Sequence, residues 1–348
     1  MSIYRQTHKN LMKLTALCGL LSLYSPTSAL AEGKLNIYCS LQSTTCEKVA
    51  QVFGEKYDVK TQVVRNSTGT VLGKIKSEKD NPQADVWFGG TIEPHLQAAD
   101  LGLLEKYRSP NQKDIMPQFK DIMDKRGDYV SVIYFVELVL GVNTKKLAEL
   151  NIAPPKCFAD LTDERFKDQI QYTDPRVSGT GYAFLATMVT LYGEDKAFEY
   201  FAKLNKNVSQ LAKTGMSTHK LATGEVGVNV SFMNTYLLEQ EKGAPVEGVR
   251  PCEGISSTLG ATSIIKGARN LDNAKIFTDW VLTKEAQELQ WRETGAYQLP
   301  TNIHAEAYPK AKLPKDSHFI KLDVLKFGSD KESKHLIDRW VETTLNPQ

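Results

Sequence analysis

The chain has 348 residues, 41% hydrophobic and 24% charged, a length and composition that suit two globular domains rather than a disordered or fibrous protein. Its 43 Lys and Arg stand against 41 Asp and Glu. So balanced a surface lacks the basic footprint that nucleic-acid binding needs.

The first 31 residues read as a secretory signal. Arg5, Lys9 and Lys13 form a basic start, Leu14 to Leu23 an apolar run too short for a bilayer, and Ala29-Leu30-Ala31 a small-residue cleavage site. Cys18 follows Leu17 inside the apolar run and leaves with the signal. Cleavage removes three of the 43 basic residues and no acidic one, so 41 acidic residues then outnumber the basic ones by one. No later stretch approaches the length of a membrane span. The expectation is a soluble periplasmic protein.

In the mature chain, Leu35–Cys39 reads as a strand, Cys46–Tyr57 as a helix and Val59–Val64 as a second strand. A helix over Gly69–Lys79, a strand over Ala84–Gly89 and a helix over Glu93–Leu101 follow. This alternation predicts an α/β fold with mostly parallel sheets flanked by helices. Ligands of such sheets sit beyond the C-terminal ends of the strands. Those ends carry Ser40, then Arg65, Ser67 and Thr68, then Thr91. Val130–Asn143 is long, apolar and β-branched, interrupted by Glu137, and suits a strand that leaves one lobe and enters another. Leu161–Ser257 supplies a second α/β set, and Gly260–Ile265 a strand running back. Phe277–Trp291 reads as one amphipathic helix, the last 50 residues as helical and charged, and Lys310–Lys315 as a surface loop.

Asp174–Tyr182 is the most informative stretch. It follows the strand-like Ile170–Tyr172 and opens the apolar helix-like run Ala183–Leu191. The first N–H groups of a helix have no intrahelical partner, and the helix dipole adds partial positive charge there. Ser178, Gly179 and Thr180 offer hydroxyls and open backbone to an anion. Arg65 is the strongest candidate for a formal charge, since its guanidinium forks onto phosphate or carboxylate oxygens.

Four cysteines remain after cleavage: Cys39, Cys46, Cys157 and Cys252. In an exported protein they suggest two disulfides, with three possible pairings. Cys39–Cys46 is the local candidate, which leaves Cys157–Cys252. The spacing does not suit zinc. No nucleophile elbow, P-loop or His-Glu-x-x-His motif is present, so neither an enzyme nor a cofactor is expected.

Ile37-Tyr38-Cys39-Ser40, Ala84–Gly90, Gly141–Thr144, Asp174-Pro175-x-x-Ser178-Gly179-Thr180 and Ala274–Gln287 together resemble the periplasmic substrate-binding proteins of ABC importers, in the ferric-ion-binding group. The resemblance covers essentially the whole mature chain. It implies a type II binding protein, with two α/β lobes joined by hinge strands and closing on a ligand for delivery to a membrane permease. The lobes would be 32–134 plus 260–348, and 135–259, in a monomer. Iron binding in that group uses two adjacent tyrosines; here Tyr236 remains and Thr235 replaces the other. Tyr38-Cys39-Ser40, Arg65-Asn66-x-x-Gly69, Trp87–Thr91, Val208-Ser209-Gln210 and Pro251-Cys252-Glu253-Gly254 resemble the hexose-phosphate-binding branch instead. That likeness implies a phosphate held by Ser40, Arg65, Ser67, Thr68, Thr91, Ser178, Gly179 and Thr180. The rest of the ligand would meet Asn234, Thr235, Tyr236 and Glu253. Asn234-Thr235 stands where the branch has a His-Asp pair. The alternatives are ferric ion with a synergistic anion, a small carboxylate or inorganic anion, and an exported hydrolase.

Overall fold

The computed structural model describes residues 33–212, 217–314 and 316–345. The expected signal segment lies outside them. The first lobe forms as the sequence predicts: β1 (Gly33–Cys39), α1 (Ser43–Tyr57), β2 (Val59–Arg65), α2 (Thr68–Ser77), β3 (Val86–Thr91) and α3 (Ile92–Asp100). The hinge strand is β4 (Ser131–Asn143). After it come β5 (Ile170–Thr173), α4 (Gly179–Tyr192), α5 (Glu194–Leu204), β6 (Val208–Ala212), β7 (Val228–Phe232), α6 (Met233–Glu241) and β8 (Val246–Val249). The return strand β9 (Ile255–Ile264) leads to α7 (Leu271–Val281), α8 (Lys284–Thr294), β10 (Leu299–Pro300), β11 (Phe319–Ile320) and α9 (Asp330–Thr344).

The main path of the sheet runs β2-β1-β3-β9-β4-β7-β5-β6. Two parallel trios, β2-β1-β3 and β7-β5-β6, flank an antiparallel centre of β9 and β4. Every residue of β4 is buried, as its near-continuous apolar run requires of a strand covered on both faces. Two hydrophobic clusters meet along it. Val132, Val136 and Val139 pack with β1, β3, α1 and α7, while Leu138, Leu140 and Val142 pack with β5, α4 and α5. Leu336 and Trp340 of α9 join the second cluster. Among the described residues no helix is long and apolar enough to cross a membrane.

Two helix expectations change. Phe277–Trp291 is not one helix: it breaks at Leu282-Thr283, where Thr283 Oγ1 accepts from Ala286 N and caps α8. Such N-capping hydroxyls compete with helix continuation. Trp291 is consequently outside the core and donates its indole N–H to Glu306 O at 2.8 Å. The last 50 residues are also less helical than their charge suggests, since residues 301–314 and 316–323 run mostly as irregular chain with short turns.

Both disulfides pair as the local reading suggests, Cys39–Cys46 and Cys157–Cys252. The first ties the end of β1 to the first turn of α1 and brackets the Ser40–Gln42 loop. Replacing both Cys39 and Cys46 with Ala should lower unfolding stability by about 2 kcal/mol, from the loop-closure entropy of a short loop. Urea melts check this, and an unchanged midpoint would show that the α1–β1 packing suffices without the bridge.

Candidate functional site

Five helices begin around one cavity. Gln42 precedes α1, Thr68 opens α2, Thr91 precedes α3, Gly179 and Thr180 open α4, and Asn234 and Thr235 lie in the first turn of α6; all seven residues line the same space. Four of these helices lack a side-chain cap, with Gln42, Ser67, Thr91 and Phe232 at their N-cap positions. Their first N–H groups are therefore left to water or a ligand. The cavity measures about 110 Å³, counted as space open to the centre of a water.

Arg65 ends β2 at its rim. Its Nε donates to Leu41 O at 2.9 Å, which fixes the guanidinium and leaves the two terminal nitrogens without a protein partner among the described residues. No carboxylate pairs with it there. Partial burial lowers its pKa from the usual arginine range, yet a guanidinium stays charged at any pH the fold survives. A half-buried cation without a counter-ion, at the meeting point of several helix N-termini, is arranged for an anion.

Backbone approach shapes the site. Gly90 has φ +89°, and a Cβ there would lie 2.5 Å from Thr68 Oγ1 and 2.8 Å from Ser40 Cβ. Its N–H donates to Tyr134 OH at 2.9 Å, so the hinge strand holds the β3–α3 turn. A Cβ on Gly179 would lie 2.3 Å from Thr91 Oγ1 and 3.1 Å from Thr68 Oγ1. The α4 start thus packs directly on the starts of α2 and α3 from the opposite side of the cleft. Ser40 Oγ accepts from Trp87 Nε1 at 3.1 Å.

Of the twelve residues expected at the ligand, eight line the cavity: Ser40, Arg65, Thr68, Thr91, Gly179, Thr180, Asn234 and Thr235. Four do not. Ser67 turns its hydroxyl to Thr70 Oγ1 at 2.8 Å. Ser178 is spent as a cap: its Oγ accepts from Gly181 N and donates to Thr173 Oγ1 at 3.0 Å. Tyr236 is fully buried, with its phenol donating to Asn229 Oδ1 and its ring pressed on Gly141 of β4. One further residue of helical rotation, about 100°, carries it away from the face of Asn234 and Thr235. That position also removes the tyrosine expected for ferric ion. Glu253 accepts from Phe158 N and Ala159 N, each at 2.9 Å, and from Tyr192 OH at 3.2 Å. Its carboxylate caps a short turn beside the Cys157–Cys252 bridge. Asp174 holds Arg176, with Nη2 donating to Oδ2 at 2.6 Å, and neither lines the cavity.

Sequence reasoning missed Tyr134, Phe232, Ser217, Gln298 and Gln42. Tyr134 was legible only as hinge-strand apolar surface. Gln298 had no local signal, because chain return places it.

Two buried titratable groups lie behind the site. Glu93, in the first turn of α3, is fully buried; its Oε1 accepts from Thr258 Oγ1 at 2.8 Å and its Oε2 has no partner. Burial raises its pKa. The native state therefore favours the protonated form, while the unfolded chain ionises it above about pH 4. Its contribution to stability falls as pH rises through the interval between the unfolded and folded values. Glu93→Gln should accordingly melt higher than wild type at pH 8, with the gap closing near pH 4. Parallel melting profiles over that range would contradict the shift. His95 stacks on Trp87 with ring centroids 3.7 Å apart, between Ser263 Oγ and Gly89 O. Burial pushes its pKa down to about 3, so it serves as a neutral strut under the Gly89-Gly90 turn.

Residues 84–326 match the family model described as bacterial extracellular solute-binding protein. The chain belongs to this family. The solved structure of the periplasmic binding protein P5PA is 52% identical, superimposes with a TM-score of 0.88, and is matched over 90% of this chain and 100% of its own. The periplasmic binding protein AfuA from Actinobacillus pleuropneumoniae, solved with exogenous fructose-6-phosphate bound, is 48% identical over 90% of this chain and 99% of its own, also with a TM-score of 0.88. A putative 2-aminoethylphosphonate-binding periplasmic protein of Salmonella typhimurium is 28% identical over 69% of this chain and 70% of that protein. These superpositions give the protein a type II binding-protein fold, as the two parallel trios around an antiparallel hinge already indicate.

Proposed function

We propose that the protein is the periplasmic receptor of an ABC importer for a phosphorylated small molecule, exported by its N-terminal signal and acting without catalysis. Residues 32–134 with 260–348 form one lobe and 135–259 the other, with α9 reaching across to the second core. Closure brings the starts of α2 and α3 against the start of α4 and buries the ligand between them. Ser40, Arg65, Thr68, Thr91, Gly179 and Thr180 hold the phosphoryl oxygens, while Asn234 and Thr235 face the organic remainder.

The observation that carries this reading is the unpaired guanidinium of Arg65 at the convergence of uncapped helix N-termini. A phosphoryl group satisfies many such donors at once, because each oxygen accepts several charge-assisted hydrogen bonds. The phosphate ester bound to AfuA and the phosphonate in the description of the Salmonella relative support the same chemistry. Asn234, Thr235 and Gln298 line the same cavity and add uncharged polar surface beyond the donors around Arg65, which favours an ester over the inorganic ion. Titration calorimetry of protein that has been unfolded, dialysed free of ligand and refolded tests this. Phosphate monoesters should bind at least tenfold more tightly than matched carboxylates. Ferric citrate binding with a visible tyrosinate absorption band, and no phosphate ester binding, would replace it with the iron reading.

A further inference from the structure

Gln298 arrives at the cavity by an unusual route. Chain leaves α8 through Gly295, at φ +70°, and joins the hinge strand as β10, with Leu299 opposite Phe135 and Pro300 opposite Tyr134. Gln298 immediately precedes this pairing, so its place is fixed to the middle of β4. It is 8% exposed, lines the cavity at Arg65, and its Oε1 has no hydrogen-bond partner among the described residues. Asn234, 6% exposed in the first turn of α6, shares that condition: it lines the same cavity and its Oδ1 has no partner. Both amides also border one small hollow with Val136 and Glu137. Two neighbouring buried amide oxygens without a protein partner are costly to leave unpaired. They point to a ligand that completes them.

The charges around them limit what that ligand presents. Arg65 is the one ionised side chain among the described residues lining the cavity. Glu137, the nearest carboxylate on the hinge strand, is already occupied: Arg250 donates to it through Nε at 2.6 Å and Nη2 at 3.0 Å. Among the described residues, an ammonium at this end would find no unpaired counter-ion, and a carboxylate no cation but Arg65. An amide, in contrast, offers both a donor and an acceptor to neutral groups.

We infer that Gln298 and Asn234 together read an uncharged, hydrogen-bonding organic end of the ligand, so that the protein selects phosphate esters with neutral tails and rejects zwitterionic aminophosphonates. The inference rests on the phosphate reading above. It makes Gln298 a specificity residue rather than an affinity residue for phosphate. A ligand lacking neutral donors or acceptors leaves both amides unpaired, the condition under which polar pockets discriminate most sharply.

Calorimetry on refolded full-length mature protein tests it, with inorganic phosphate, fructose 6-phosphate, glucose 6-phosphate, glycerol 3-phosphate, phenyl phosphate and 2-aminoethylphosphonate as probes. Wild type should bind at least one neutral-tailed ester more tightly than inorganic phosphate, and 2-aminoethylphosphonate no better than inorganic phosphate. Gln298→Ala and Asn234→Ala should each weaken that ester ten- to hundredfold and leave inorganic phosphate within about twofold, a pattern a misfolded variant cannot give. The inference is overturned if either variant weakens ester and inorganic phosphate equally, or if both leave the ester unchanged. It is also overturned if 2-aminoethylphosphonate binds best or no ester exceeds inorganic phosphate. Failure of wild type to bind any of these phosphorus compounds would instead remove the phosphate reading beneath it.

Discussion

Arg65→Ala should weaken binding of the phosphorylated ligand at least a hundredfold, about 3 kcal/mol, the usual cost of removing one side of a desolvated, hydrogen-bonded charge pair. Folding should be little affected. The guanidinium makes one intramolecular hydrogen bond, to Leu41 O, and pairs with no carboxylate among the described residues, so its loss leaves no buried anion behind. Arg65→Lys should recover part of the affinity, because it keeps the charge but not the bidentate fork. Calorimetry beside thermal melts separates the two effects. Equal affinity for wild type and Arg65→Ala would show that the anion sits elsewhere.

Gly179→Ala should abolish measurable capture. The added Cβ would stand 2.3 Å from Thr91 Oγ1 and 3.0 Å from Thr91 Cγ2, and the α4 start cannot retreat without opening the cleft. Thr91 is itself 5% exposed with its Oγ1 unpartnered, so it has no spare room to yield. The clash acts on closure rather than on either lobe alone. Melting of the unliganded protein should change little, while ligand-induced stabilisation, which follows mass action on the closed form, should disappear. Thr91→Ala removes both clashing atoms and should restore part of the binding in the double variant. Full ligand-induced stabilisation in Gly179→Ala would contradict the packing of α4 on α3.

What the sequence revealed and what it hid follow from the range of the interactions concerned. A strand, a polar loop and a helix start are consecutive in the chain, so Arg65, Thr68, Thr91 and the Gly179-Thr180 pair were readable as one repeated local geometry. The hinge strand was readable for a similar reason: thirteen buried residues in a row leave a β-branched, apolar run. Hydroxyl direction was not readable. Ser67 and Ser178 occupy the expected N-cap positions, but one turns to Thr70 and the other to Gly181 and Thr173. Tyr236 was misplaced by a single step of helix rotation, and Glu253 by a turn whose N–H groups its carboxylate satisfies. Gln298 and Tyr134 depend on β10 returning to β4, a pairing of residues more than 160 positions apart. Propensity carries no information about such contacts.

A phosphoryl group held in the cleft at Arg65 carries its own spectroscopic signature. Phosphorus-31 NMR of protein purified without unfolding, recorded before and after acid release, tests it most directly. A single protein-bound phosphorus resonance should appear, sharpen and shift on release, be displaced by excess ligand, and be absent from Arg65→Ala prepared in parallel. A native protein carrying iron or a carboxylate and no phosphorus, or a phosphorus resonance equally strong in Arg65→Ala, would contradict it.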